Sequence, residues 1–267
     1  MKNLFVGVVL ALILFSCKDS KEKKVKKKIK IVENTVIKNT VQKNEAVNED
    51  LKNDFDILLP RSYRTSGGDP VAALTSNWID LYEENGEYYL GKASYKIENG
   101  YDECAEDSLK FIIPENKSIV FMNYPKLKLG KIKSLKIDKN KIWPQETVTF
   151  LFNNVKYILR AEGKVLSSEK RQGDDDKVEI FKNVKNYKLY LSADNVAEKL
   201  LLQEEGFNDT FVELLFAGDI DGDGKLDLIF NASRDYEEER VILFLSSKAE
   251  NGDAIKKVSE IAVQFDC

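Results

Sequence analysis

From about residue 54 onward, apolar and polar residues alternate in short runs that end at Asn or Gly, a pattern typical of β-strands joined by tight turns. The clearest case is the dipeptide of Asn85 and Gly86, which separates the apolar segments 78–82 and 87–91. Asn-Gly suits a two-residue hairpin turn because both residues tolerate positive φ angles. The sequence therefore predicts a β-hairpin at this point.

The same alternation predicts two more hairpins and several single strands. The hairpins join segments 147–152 and 155–159 across Asn153 and Asn154, and segments 178–181 and 187–191. The single strands are predicted at 109–113, 118–122, 211–216, 226–230, 241–245 and 258–265. Only residues 196–205 have the composition of a helix, with Asn195 as a candidate cap.

These elements predict a mainly β fold with little helix, arranged as an antiparallel meander, a sandwich or a partial propeller. Five aromatic side chains are expected in its core: Trp78, Tyr82, Phe150, Phe152 and Tyr190. Tyr88 and Tyr89 are candidates for a sugar-binding aromatic platform.

The N-terminus has the pattern of a bacterial lipoprotein signal peptide, predicted over residues 1–16. A short positive segment precedes the apolar run 4–15, which is too short to span a bilayer as a stable helix. Residues 14–17, Leu-Phe-Ser-Cys, resemble a lipobox. Cys17 is therefore expected to become the acylated first residue of the mature protein, which would be held on a membrane by its lipid.

A charged tether is predicted over residues 17–53, followed by a β-rich domain over 54–267. The charged residues 18–28 resemble the surface-export signal of Bacteroidetes lipoproteins, which implies the outer membrane and its outer face as an option. Without the 11 lysines and 6 acidic residues of segment 1–50, the chain's 41 basic and 45 acidic residues leave a net charge of −9. An acidic domain argues against a nucleic-acid partner and suits a cation site.

The most distinctive polar pattern is the acidic loop, residues 219–227. Asp219, Asp221, Asp223 and Asp227 stand at loop positions 1, 3, 5 and 9. Aspartates at alternate positions of a tight turn direct their carboxylates at one point, and a hard cation such as Ca²⁺ binds about six to eight oxygen ligands. The loop therefore predicts a calcium site, and the alternative is an acidic surface turn that binds nothing.

Two further residues of the loop fit a calcium site. Gly224 at position 6 permits the sharp bend, and the carbonyl of Lys225 at position 7 is the expected backbone ligand. Position 12 is Phe230, so the bidentate glutamate of an EF-hand is absent. The flanking apolar runs are also those of strands, which predicts a β-loop-β unit in place of two helices.

The spacing Asp-x-Asp-x-Asp-Gly-x-x-Asp between apolar strands resembles the calcium loops of FG-GAP (integrin alpha-type) repeats. The wider run 216–248 is similar to segments of uncharacterised lipoproteins from Bacteroidetes-type bacteria. FG-GAP modules usually come in several copies, whereas this chain has one good copy. The resemblance implies the following ligands for Ca²⁺: Asp219, Asp221, Asp223, Lys225 and Asp227.

Three cysteines are present in the chain. With Cys17 assigned to the lipid, Cys104 and Cys267 remain, and a compartment outside the inner membrane permits disulfides. We expect one bridge between them, and the alternative is two unpaired thiols.

The chain contains no histidine, which removes the usual general base, the histidine-containing triads and most zinc sites. A non-catalytic binding or structural module of the cell envelope, with a protein or glycan partner, is therefore the favoured function. The alternative is a carboxylate-dependent hydrolase acting on envelope polysaccharide. A periplasm-facing inhibitor or immunity-type lipoprotein stays open. Carboxylates considered for hydrolysis are Asp102, Glu103, Glu106, Asp107 and the run 237–239.

Overall fold

The computed structural model describes residues 53–172 and 178–265, all of which lie in one compact unit. The predicted signal peptide, Cys17 and the tether up to residue 52 lie outside the described residues. The same holds for segment 173–177, residue 266 and Cys267. Within the described residues, no helix has the length and apolar character that crossing a membrane requires.

Within that part of the chain, 16 β-strands and one 3₁₀ turn at Pro70–Ala73 are formed. The strands are β1 (Ile57–Leu58), β2 (Ser62–Arg64), β3 (Ile79–Glu84), β4 (Glu87–Lys92), β5 (Tyr95–Asp102), β6 (Asp107–Pro114), β7 (Lys117–Met122), β8 (Gly130–Lys131), β9 (Thr147–Phe152), β10 (Val155–Gln172), β11 (Val178–Ala193), β12 (Val196–Gly206), β13 (Glu213–Gly218), β14 (Asp227–Asn231), β15 (Glu238–Leu245) and β16 (Lys256–Gln264).

Four antiparallel sheets are built from these strands. Sheet 1 has the order β1-β7-β3-β4-β8, and sheet 2 has the order β2-β6-β5. Sheet 3 is the meander β9 to β12, and sheet 4 is the meander β13 to β16. The mainly β, antiparallel prediction is confirmed, and among the arrangements considered the four sheets fit a sandwich.

Sheet 4 is buried on both of its faces. In β14, Leu228 and Phe230 pack in a core shared with sheet 3, whereas Ile229 packs in a second core shared with sheet 1. Successive side chains of a strand point to opposite faces, so a strand between two layers must be apolar at consecutive positions. The consecutive buried residues from Leu226 to Phe230 therefore place the acidic loop next to a strand that is covered on both faces.

Two of the three predicted hairpins are confirmed. β3 and β4 are joined by Asn85 and Gly86, whose φ angles are 54° and 80°. β9 and β10 are joined by Asn153 and Asn154, with φ angles of 48° and 67°. Positive φ at both central residues is the requirement of the turn that matches the strands' twist.

The third hairpin prediction is wrong, because segments 178–181 and 187–191 belong to the single strand β11. Opposite its middle, the ladder with β10 shifts register between Glu162 and Lys164. Gly163 and Asn186 both have positive φ there, at 148° and 52°. Asn186 therefore lies at a β-bulge in the ladder between β10 and β11, and the chain does not turn there.

The helix prediction for residues 196–205 is also wrong, because this segment forms β12 and pairs with β11. Asn195, the expected cap, has a φ of 63° and lies in the hairpin turn that pairs Ala193 with Val196. Segment 196–205 forms a strand despite its helix-forming composition, because pairing with β11 satisfies the backbone donors and acceptors of β12.

The expected aromatic core is confirmed in part. Trp78, Phe150 and Phe152 are buried, whereas Tyr82 and Tyr190 are half-buried. Tyr82 stacks on Tyr89, and Arg160 lies over the ring of Tyr190. These two aromatics therefore do not belong to the buried core.

Candidate metal centre

The acidic loop connects β13 to β14, and its two ends pair with each other at Gly218 and Asp227. Gly222 and Gly224 have φ angles of 81° and 83°, in the left-handed region that side chains disfavour. These two glycines let the chain reverse direction tightly. The predicted β-loop-β arrangement therefore places the acidic loop at the end of sheet 4 where β13 ends and β14 begins.

Three of the four aspartates converge on one point. Oxygen atoms of Asp219, Asp221 and Asp227 all lie within 4.8 Å of one another. Asp227 is fully buried, and Asp219 and Asp221 are half-buried. The described residues thus contain three carboxylates that could hold a metal ion, whereas the spacing predicted four.

Asp223 and Lys225 stand apart from this group of three. Asp223 is exposed, and its Oδ1 accepts the N–H of Lys225 at 2.8 Å and the hydroxyl of Ser246 at 3.0 Å. The Lys225 side chain is also exposed. Both residues lie in the loop as expected, and their role as ligands stays a prediction.

Asp227 is held by hydrogen bonds to both of its carboxylate oxygens. Its Oδ2 accepts the N–H of Ile220 at 2.7 Å. Its Oδ1 accepts the N–H of Ser246 at 2.8 Å and the Ser246 hydroxyl at 2.9 Å. Buried carboxylates need such partners, and here they tie the start of β14 to the loop and to the end of β15.

The other two carboxylates of the group shape the loop itself. Asp219 accepts the N–H groups of Gly222 and Gly224 at 2.8 and 3.0 Å. Asp221 accepts the N–H of Asp223 at 3.3 Å and the hydroxyl of Ser247. Such local bonds from Asp side chains stabilise turns, so the loop is organised around the carboxylates.

Ser246 and Ser247 were missed by sequence reasoning. They follow β15 and lie about 20 residues after the loop, so no feature of the loop spacing identifies them. Pairing of β14 with β15 brings them beside the aspartates, where their hydroxyls contact Asp227 and Asp221. The centre is therefore assembled from two separate turns of sheet 4.

The electrostatics of the group favour a bound cation. Burial and the charge of Asp221 raise the pKa of Asp227 to about 8. Burial also raises the pKa of Asp221, with a further contribution from Asp223 and Asp219. Carboxylates this close oppose one another's ionisation, whereas a positive ion among them would favour the ionised forms.

Residues outside sheet 4 also form hydrogen bonds with the acidic loop. Asn153 Nδ2, in the turn between β9 and β10, donates to the carbonyl of Gly224 at 2.6 Å. The N–H of Leu226 donates to the Tyr157 hydroxyl at 3.4 Å, and the N–H of Asp219 donates to the carbonyl of Lys133 at 2.9 Å. A rigid loop would therefore fix the edge of sheet 3 and the segment that follows β8.

Three of the other carboxylates considered from the sequence have structural partners. Hydrogen bonds from the N–H of Ala105 and from Arg64 lower the pKa of Asp102. Asp107 accepts the Ser66 hydroxyl at 2.5 Å. Glu238 is buried and accepts the N–H of Arg234 at 2.8 Å, besides an ion pair with its guanidinium.

Cys104 takes part in a disulfide. Its expected partner, Cys267, lies outside the described residues, so the pairing stays a prediction.

Comparisons of the chain with protein-family models, with curated proteins and with solved structures gave no match.

Proposed function

We propose that the protein is a lipid-anchored, calcium-binding module of the cell envelope that acts by binding and not by catalysis. The observation that carries this proposal is the convergence of Asp219, Asp221 and Asp227, one of them fully buried. The anchor rests on the sequence of residues 14–17.

Calcium is the cation that best fits the donors. The group offers carboxylate oxygens, with hydroxyls of Ser246 and Ser247 beside them. Oxygen donors suit Ca²⁺ and Mg²⁺, and Ca²⁺ accepts the irregular geometry that a flexible loop provides. Soft metals prefer sulfur or imidazole, and the chain has no histidine.

A bound ion would act mainly on rigidity. It would neutralise carboxylates that repel one another, and it would fix the loop that connects β13 to β14. Through Asp227 and Ser246 the ion would also stabilise the end of β15. The expected result is a binding surface whose geometry is set by extracellular calcium, which is seldom scarce.

Thermal unfolding of the protein from Lys18 onward, in EDTA and in about 10 mM calcium, tests the metal assignment. For a Kd of about 0.1–1 mM, as in extracellular modules, calcium should stabilise by about 1.4–2.7 kcal/mol. For a domain of this size, each kcal/mol of stabilisation raises the unfolding midpoint by roughly 2–4 °C. Asp221→Ala should abolish the calcium effect.

Asp138→Ala is the matched control, since this aspartate has 82% of its side chain exposed and lies outside the acidic loop. Its calcium response should equal that of the parent protein. A parent protein with the same midpoint in EDTA and in calcium would refute the metal assignment.

Metabolic labelling with an alkyne analogue of palmitate tests the anchor. The full chain expressed in a Gram-negative host should incorporate the label and partition with membranes. Cys17→Ser should lose both, whereas Cys104→Ser should lose neither. Label in the Cys17→Ser protein would show that the lipid, if any, is attached elsewhere.

The hydrolytic alternative receives less support from the clefts of the protein. A general acid for glycoside cleavage needs a raised pKa. Glu83 lines two clefts, and hydrogen bonds from Lys117 and the N–H of Gly86 lower its pKa. A lowered pKa keeps Glu83 ionised, which suits a binding or structural carboxylate and not a general acid.

A further inference from the structure

A polar cleft of about 770 Å³ lies where sheet 1 meets the edge strand of sheet 4. Its lining includes Glu87 and Tyr88 of β4 and Leu214 and Leu215 of β13. Residues 134–138 and Asn140 also line it. This volume falls within the range of small-molecule sites.

A second cleft of about 350 Å³ continues the first one. Both are lined by Glu83, Tyr88 and Leu215, so they form one groove with Tyr88 at the junction. The second part extends over Arg61 and Glu239. We call the two together the Tyr88 groove.

The charges of the Tyr88 groove compensate one another. Its carboxylates each form an ion pair with a neighbouring cation: Glu83 with Lys117, Glu87 with Lys131, Asp138 with Lys136, and Glu239 with Arg61. A cleft with balanced charges gives neither a cation nor an anion a large electrostatic advantage. Its hydrogen-bonding groups instead suit a neutral, hydroxyl-rich ligand.

Tyr88 supplies an aromatic surface at a fixed position. Its ring packs edge-to-face on the buried Phe216, with the ring centroids 5.1 Å apart. The side chain is half-buried, and its backbone carbonyl accepts the N–H of Ile132 at 3.0 Å. A ring anchored in this way is a preorganised platform for the apolar face of a sugar, at little entropic cost.

Segment 134–140, which contributes to the lining of the groove, is held at both of its ends. Leu135 donates its N–H to the carbonyl of Ala217 at 2.8 Å, and Asn140 accepts the N–H of Leu214 at 2.9 Å. Lys133, the residue just before this segment, accepts the backbone N–H of Asp219 in the acidic loop. Hydrogen bonds to β13 therefore hold this part of the groove lining in place, and its start is tied to the loop.

We propose that the Tyr88 groove binds a neutral oligosaccharide. The assignment rests on the proposed function, because it gives that binding module a ligand class and a docking place. Tyr88 provides the stacking surface, and Asn140, Ser134 and the paired carboxylates provide hydrogen bonds to sugar hydroxyls.

Affinity electrophoresis tests this proposal with the full chain, purified in a detergent without a sugar headgroup. Native gels would contain calcium and laminarin, xylan or mannan as neutral polysaccharides. Gels with alginate test an anionic ligand, and gels with gelatin test a peptide ligand. The apparent Kd follows from the retardation at increasing polysaccharide concentration.

Three variants make the test specific. Tyr88→Ala should weaken binding at least about tenfold, as expected for an aromatic side chain that anchors a ligand. Asn140→Ala should weaken binding as well, and because its side chain is exposed, the substitution should leave the stability of the fold nearly unchanged. Tyr101→Ala, an aromatic with 60% exposure outside the groove, should leave binding unchanged.

The proposal is overturned if no neutral polysaccharide retards the protein, if only alginate or gelatin does, or if Tyr88→Ala and Asn140→Ala bind normally. Thermal unfolding of the same samples separates this failure from failure of the metal site. A calcium-stabilised protein without glycan binding overturns the groove alone. Glycan binding without a calcium effect supports the groove and overturns the metal site.

Discussion

The buried carboxylate of Asp227 accepts the backbone N–H of Ile220 at 2.7 Å, across seven positions of the chain. The bond joins the last residue of the acidic loop to its second residue and closes the loop. The same carboxylate also accepts the N–H of Ser246 from the end of β15. Asp227 therefore serves the fold whether or not an ion is present, unlike Asp221.

Asp227→Ala should destabilise the protein even in EDTA. The N–H groups of Ile220 and Ser246 would lose their acceptor in buried surroundings, which corresponds to about 2–3 kcal/mol. Asp221→Ala should change stability in EDTA by less than about 1 kcal/mol, because its partners are partly exposed. Urea unfolding of both variants in EDTA measures the difference, and equal losses would contradict the separate roles.

Gly218→Ala should destabilise the junction of β13 and the acidic loop. A Cβ atom there would lie 2.5 Å from the carbonyl oxygen of Lys133 and 2.9 Å from the Cα of Ser134. Because both contacts are with backbone atoms, the chain must shift, at about 1–3 kcal/mol.

Gly67→Ala is the matched control for Gly218→Ala, since a Cβ at Gly67 would meet nothing within 4 Å. Urea unfolding should give a clear loss of stability for Gly218→Ala and a near-parent value for Gly67→Ala. Similar stability of the two variants would mean that the close approach of segment 133–134 to β13 is not maintained in solution.

The sequence predicts most reliably what depends on neighbouring residues. Asn85 with Gly86, and Asn153 with Asn154, specify their turns through backbone conformations that few other residues tolerate. The acidic loop is equally local, because its spacing alone brings Asp219 and Asp221 together. The consecutive apolar residues after Asp227 likewise predict a strand that is covered on both faces.

What the sequence does not predict depends on partners far along the chain. Residues 196–205 have helix-forming side chains, yet they form a strand because they pair with β11. Ser246 reaches Asp227 only because β14 pairs with β15. The Tyr88 groove likewise forms only when β4 and β13 come together, so no local sequence pattern predicts it.

The disulfide of Cys104 should stabilise the protein, and we predict Cys267 as its partner. A bridge between them would close a long loop, which corresponds to about 4–5 kcal/mol in the chain-entropy model. Peptide mapping without reduction should find the two linked peptides. A reductant should lower the unfolding midpoint of the parent protein but not that of Cys104→Ser. A link from Cys104 to Cys17, or to a second chain, would contradict this pairing.

Asp80 should make stability depend on pH in a direction opposite to that of most surface aspartates. Its side chain is fully buried in β3, and Oδ1 has no hydrogen-bond partner within the described residues. Oδ2 accepts from Asn116 at 3.0 Å and from Ser118 at 2.9 Å. Burial raises the pKa of Asp80, and those two bonds offset the rise only in part.

Because the pKa of Asp80 is higher in the folded protein than in the unfolded chain, its favourable contribution is full below the unfolded pKa of about 4. That contribution is lost as the pH rises through the folded pKa, where the buried group must ionise. Asp80→Asn does not titrate, so the parent protein should lose stability relative to this variant as the pH rises above about 4. Urea unfolding of both proteins across this range, with the exposed Asp138→Asn as control, measures the difference. A difference that is constant, or that grows in favour of the parent protein at higher pH, would show that Asp80 is satisfied as a carboxylate.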